Sequence, residues 1–174
     1  MKKYYVSILM AVMAFMCVTT IVSCGGDDDE STPGTETGNI TVGTHRIDVS
    51  FEGNTSGWTT TVAFSAVKAS ATGMGAKLYE GGQELTTEGG SWIDNKFRNY
   101  SVSTDEKCQS LLVVVYCRRN AHATAEPITV HLKGFIDGKQ QKEQSIVADG
   151  SHATRTIFFY SQISEADRVQ DLDY

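Results

Sequence analysis

From Ile40 onward, apolar and polar residues alternate with a period of two, in short runs separated by clusters of Gly, Asn, Asp and Ser. That period puts successive side chains on opposite faces of an extended chain, so it predicts strands with one face on a core and one in water. In Arg46 to Glu52, Ile47, Val49 and Phe51 share one face, while Arg46, Asp48, Ser50 and Glu52 share the other. Trp58 to Val67 repeats the arrangement with Trp58, Val62, Phe64 and Ala66 inward, and Gly53-Asn54 and Ser56-Gly57 between the two runs predict a hairpin. Lys77 to Tyr79 and Gln83 to Leu85 flank Gly81-Gly82 as a second, shorter hairpin. Phe97 to Ser103, Gln109 to Arg118, Ile128 to Ile136, Gln140 to Ala148 and Thr154 to Tyr160 complete the expected strands.

Two places complicate this pattern. Asp137-Gly138 tolerates positive φ and predicts a tight type I′ turn, yet a two-residue loop in unbroken register would set Val130 against Ser145 and Leu132 against Glu143. That is a poor apolar match, so either the turn is longer or Gly134 marks a bulge. In Leu111 to Tyr116 both parities are apolar, so this strand wants cover on both faces, from within the chain or from a partner. At the C-terminus, Ser164 and Asp167 have capping-box spacing, which predicts two helical turns over Ser164 to Leu172. Seven or eight short strands with Gly-rich turns predict an immunoglobulin-like antiparallel β-sandwich over 40–174, with a small β-barrel as the alternative.

The N-terminus reads differently. Lys2 and Lys3 precede an apolar run, Val6 to Val22, of the length of a secretory h-region. A spanning helix is the rival reading, but the run ends in Ile21-Val22-Ser23-Cys24. This tetrad resembles a bacterial lipobox, with a branched residue at −3, a small residue at −1 and a cysteine to be acylated. The resemblance implies a signal peptide over 1–23 and lipid on Cys24. The following acidic run, Asp27 to Glu30, is similar to the export signal of Bacteroidota surface lipoproteins. It implies an outer-membrane lipoprotein exposed at the cell surface, the periplasmic face of that membrane being the alternative. Segment 24–39 lacks apolar side chains able to bury surface, so it is expected to be a flexible acidic linker with an rms reach on the order of 20 Å.

The charge balance narrows the partners. The 174-residue chain carries 15 Lys+Arg against 21 Asp+Glu, and no basic stripe rises above that background. Nucleic acid is therefore not an expected partner, nor is a polybasic hold on anionic lipid; the membrane partner is reached through Cys24. Of the four cysteines, only Cys108 and Cys117 remain once Cys17 leaves with the leader and Cys24 is acylated. An extended run between them spans about 30 Å, whereas a bridge needs Cα atoms within about 7 Å. They are expected to be free buried thiols.

A catalytic constellation is not legible. His45, His122, His131 and His152 form no metal-ligand spacing and read as surface histidines, Ser91 and Ser151 lie outside any G-x-S-x-G, and no loop cradles phosphate. Asp137-Gly138 and Asp149-Gly150 lack the further oxygens of a calcium loop and read as turns, so no metal or cofactor is expected. What remains are large amphipathic aromatics on which sugars stack: Trp92, Tyr79 and Tyr100, with Trp58 assigned to the core. Trp92, in the polar stretch Gly89 to Asn95, reads either as a lid on the core or as an exposed contact. The expected function is a non-catalytic binding domain for a glycan or a partner protein. The alternative is an accessory subunit of a surface assembly joined through strand edges.

Overall fold

The alternating runs become the strands of two antiparallel sheets packed face to face. The structure, a computed structural model, describes residues 42–68, 75–85, 90–105, 107–121, 124–162 and 166–173, all within the unit Gly38–Tyr174. Lipobox, Cys24 and linker lie outside the described residues. The strands are β1 (His45–Gly53), β2 (Trp58–Lys68), β3 (Leu78–Glu80), β4 (Gln83–Glu84), β5 (Ser91–Asp94), β6 (Tyr100–Thr104), β7 (Cys108–Arg119), β8 (Ile128–Ile136), β9 (Lys139–Ala148), β10 (Thr154–Tyr160) and β11 (Arg168–Leu172). One sheet runs β4-β3-β6-β1-β8-β9 and the other β11-β10-β7-β2-β5. The fold is thus the expected antiparallel sandwich and not a closed barrel, with more strands than the spacing predicts.

Inward positions of both sheets meet in one core. Ile47, Val49, Leu132 and Val130 from one sheet face Val62, Phe64, Val113, Val115, Ile157 and Phe159 from the other, all essentially buried. Each such side chain removed from water contributes about 1.5–3 kcal/mol. Trp58 is in the core as expected, and its indole N–H donates to the Glu126 carbonyl at 2.8 Å. On β7 both parities are buried: Leu111, Val113 and Val115 face the core, while Leu112 and Val114 are 7% and 4% exposed on the outer face. There Leu112 lies between Tyr160 and Ser65, and Val114 between Phe158 and Ala63.

Two local expectations are corrected, and one strand is new. β1 and β2 do not form a hairpin: β1 pairs with β6 and β8, β2 with β5 and β7, and the chain crosses between sheets through a 3₁₀ turn at Thr55–Gly57. Asn54 caps that turn, its side chain accepting from the Ser56 amide at 3.1 Å. The stretch around Trp92 is strand β5, whose four residues pair with β2. The C-terminal helix is absent, because Arg168 to Leu172 pair residue by residue with β10 and a sheet ladder overrides a capping spacing; Ser164 itself lies outside the described residues.

The β8–β9 turn keeps both of its sequence signals. Asp137 and Gly138 have φ of +49° and +76°, as a type I′ turn demands, and the register shifts at Gly134/Phe135. The bulge brings Ile146 opposite Val130, repairing the apolar mismatch there, while Leu132 comes to face Gln144. Gly134 also leaves room for the neighbouring chain, since a Cβ there would lie 2.8 Å from the Ser161 carbonyl oxygen.

Candidate functional site

Two of the three expected site aromatics meet, but inside the sandwich. Trp92 on β5 and Tyr100 on β6 face inward from opposite sheets, with ring centroids 6.0 Å apart, and both lie about 6 Å from the Phe64 ring. Tyr100 is 2% exposed, and its hydroxyl donates to the Lys96 carbonyl at 2.5 Å. Burial pushes its phenol up to about 12. It therefore has no face to offer a sugar, which corrects its assignment as a contact residue. Trp92 is half-buried, packed on the core as a lid.

Arg98 closes this edge of the sandwich. Its guanidinium makes a two-pronged bond to Glu80, both contacts 2.8 Å, and a third to Asp94 at 3.2 Å. Glu80 is on β3 and Asp94 on β5, so one side chain ties the two sheets. The guanidinium carbon lies 4.0 Å from the Tyr100 ring centroid and 5.6 Å from that of Trp92. The hydrogen bond to Glu80 is the main reason the Arg98 pKa is raised above its already high value. The group stays charged, and its role is to hold the edge.

Tyr79 points elsewhere. It pairs with Ser103, Ser103 with Arg46 and Arg46 with Phe135, so these four residues form one row across β3, β6, β1 and β8 on the outer face of the six-stranded sheet. The Arg46 guanidinium lies 3.9 Å from the Phe135 ring centroid. Burial against its neighbours and a hydrogen bond with Asp105 raise the Tyr79 pKa. Beside this row is a shallow groove of about 270 Å³, lined by the polar residues Asp48, Ser50, Asn99, Ser101, His131 and Lys133 over the buried Val49 and Tyr100. Outward parity on β1, β6 and β8 brings them together, and only the neighbouring order of those strands makes them a site.

The polar side chains of the groove are paired with one another and with their neighbours. Asp48 accepts from Ser101 Oγ at 2.7 Å and faces Arg46 Nε at 3.2 Å. His131 has Nδ1 2.8 Å from Ser145 Oγ and Nε2 3.0 Å from Glu52, while Lys133 faces Glu143 at 3.3 Å. Sequence parity places His131 outward, as found; the groove's other members carry only a wet-face signal until the strand order is known.

The other candidates resolve into structure. His45 is corrected from a surface to a buried residue, 1% exposed, bonded to Ser161 and to the Cys108 carbonyl. His152 faces Asp173 at 3.1 Å, and His122 lies outside the described residues. Cys108 and Cys117 are buried, and neither is in a disulfide. Asp137 accepts from the Thr44 amide and hydroxyl, both at 2.9 Å, and Asp149 from the Ser151 amide and hydroxyl at 2.9 and 2.6 Å. Both aspartates serve turns, and these bonds lower both pKa values.

Comparison with solved structures places this geometry. A crystal structure of a domain of unknown function, DUF4425, from Bacteroides vulgatus matches with a TM-score of 0.56 at 20% identity, over 70% of this chain and 96% of that one. A DUF4425 family protein from Bacteroides ovatus matches with a TM-score of 0.52 at 23% identity, over 74% and 96%. The chain shares the fold of the DUF4425 proteins. A protein from Parabacteroides distasonis, solved by NMR in a calcium-bound form, matches with a TM-score of 0.52 at 15% identity, over 84% of this chain and all of that one. Among the described residues here, no group of three or more His, Cys, Asp or Glu stands where it could hold a metal ion. No family model matches the chain, and no curated protein does. At these identities the likeness to the DUF4425 structures is one of fold.

Proposed function

We propose that this protein is an outer-membrane lipoprotein, anchored through Cys24 and exposed at the cell surface, whose DUF4425-like sandwich recognises a glycan or a partner protein without transforming it. The observation that carries the binding role is the groove on the six-stranded sheet, where five polar side chains from three adjacent strands converge with Asn99 beside them. A non-catalytic role is supported by its chemistry. Glycoside hydrolysis calls for two facing carboxylates, and the groove lining supplies one, Asp48, already engaged by Arg46 and Ser101. The address rests on Ile21-Val22-Ser23-Cys24 and Asp27 to Glu30. Assembly through strand edges has less behind it. Edge strands β4 and β5 are two and four residues long and edge strand β9 carries Lys139 and Lys142, features that blunt strand addition, which leaves β11, five residues with Val169 and Leu172 exposed, as the edge open to it.

Protease shaving of intact cells tests the address. The wild-type chain is cut on whole cells, and Cys24→Ala releases the protein from the membrane fraction; retention of that variant defeats the lipobox reading. For recognition, the full chain is screened against surface polysaccharides and outer-membrane proteins. A saturable interaction that Asp48→Ala abolishes supports the groove, and one indifferent to that change moves the site elsewhere.

A further inference from the structure

The groove's ligand class follows from how its charges are arranged. Arg46 faces Asp48, His131 faces Glu52 and Lys133 faces Glu143, so each basic side chain on this face has an acidic neighbour within 3.3 Å. An acidic ligand would have to displace Asp48, Glu52 or Glu143, on a chain whose formal charge is already −6. A protein partner wants an apolar or aromatic anchor seated in a pocket, whereas here the side chains open to solvent over the buried Val49 and Tyr100 are hydroxyl, amide, carboxylate, imidazole and ammonium, and the groove is too shallow to seat such an anchor. Paired charges instead present fixed acceptors beside fixed donors. A neutral sugar meets that pattern, since each hydroxyl donates one hydrogen bond and accepts another.

The adjacent row supplies the apolar side of the match. Tyr79 and the Arg46–Phe135 stack lie on the same outer face as the groove, Tyr79 two strand spacings from Arg46 and three from Phe135, about 10 and 14 Å. Rings and guanidinium planes accept the C–H faces of pyranoses. Resting on the reading of this groove as a recognition surface, we propose that it binds a neutral polysaccharide chain laid across the strands. Sugar hydroxyls engage Asp48, Ser101 and Lys133, and sugar rings rest on Tyr79 and the Arg46–Phe135 stack. The open, shallow groove suits a chain that passes over the sheet rather than a small molecule enclosed by it.

The test uses the full chain in a detergent without a sugar headgroup, titrated with a mannan, a neutral β-glucan and polygalacturonate. The expected result is saturable binding of a neutral polymer, unchanged when salt is raised to about 1 M, a concentration that screens charge beyond about 3 Å. Asp48→Ala and Tyr79→Ala, both on the sheet surface, each weaken it by about tenfold or more, with unfolding midpoints near wild type. Selective, salt-sensitive binding of polygalacturonate lost in Asp48→Ala or Lys133→Ala overturns the neutral ligand class and leaves groove recognition standing. Neutral binding untouched by both variants overturns the groove as its site. Absence of binding to either neutral polymer overturns the proposal, and recognition as such is then decided by the outer-membrane protein screen.

Discussion

A buried imidazole ties the two sheets together at one end of the sandwich. Ser161 Oγ lies 2.6 Å from His45 Nδ1 and 3.2 Å from the Leu111 amide, and His45 Nε2 lies 3.1 Å from the Cys108 carbonyl. One tautomer satisfies all three contacts: Ser161 accepts from Leu111 and donates to Nδ1, while protonated Nε2 donates to Cys108. Ser161→Ala takes one bond from each of two buried groups, so the expected loss is about 1–3 kcal/mol. It is read as a lower urea midpoint with an unchanged m-value. The signal for this latch was in the chain: His45 shares parity with Ile47, Val49 and Phe51, the inward set of β1. Its chemistry argued for the surface, and its partners lie 63 and 116 residues away. A lone polar residue at an inward parity position carries no clue to a partner that distant. Tyr100 shows the same blindness from the other side, since an amphipathic ring suits a sugar and a core equally well until its neighbours are known.

A two-sheet sandwich has two long open sides, and each is closed by an arginine. Arg98 bridges Glu80 and Asp94 at one side. At the other, Arg155 of β10 bonds Asp171 of β11 at 2.6 and 2.7 Å and also the Val147 carbonyl of β9, in the opposite sheet. Lys142 of β9 adds a contact to Asp167 at 2.7 Å, and Asp167 in turn accepts from the Tyr160 amide at 3.0 Å. Strand β11 has exposed Val169 and Leu172 at 43% and 48%, so little apolar burial holds it, and these ion pairs add to its ladder with β10. The hydrogen bond from Arg155 lowers the Asp171 pKa, which means the folded state favours the charged carboxylate. Stability from this pair is therefore complete at neutral pH and is lost as pH falls from the ordinary aspartate value, about 3.9, through the depressed one. Amide protection of Val169 and Gln170, corrected for intrinsic exchange, is expected to fall below about pH 4 before that of β7. In Asp171→Asn it is weaker already at pH 7 and the acid step shrinks. Coincident loss in β7 and β11 would mean that β11 has no separate opening. The sequence hid this strand because five residues at an edge, mostly exposed, carry no alternation strong enough to outvote a capping spacing.

At the scale of the molecule, the alternation along the chain settles which face of each strand is buried but not which sheet receives it. Arg46 to Glu52 and Trp58 to Val67 look like a hairpin because they are adjacent and matched, yet their ladders go to different sheets. Sheet membership depends on long-range pairing, which also decides that Asp48, Ser101 and Lys133 share a groove. Strand β7 is where this global order is densest, paired on both sides along most of its length, and both Cys108 and Cys117 lie on it, neither in a disulfide. Burial pushes the Cys117 thiol up to about 12, so almost none is thiolate at neutral pH even where reagent could reach it. Cys108 is 0% exposed as well. With no path to either thiol short of separating the sheets, both are expected to alkylate together, at a rate set by global unfolding. Iodoacetamide labelling in rising urea, read by mass, should give native chains with neither thiol modified and unfolded chains with both, with few carrying one. A population labelled only at Cys108 would show instead that the start of β7 opens on its own, and that the core is divided where the ladder with β2 shifts register at Val67/Lys68.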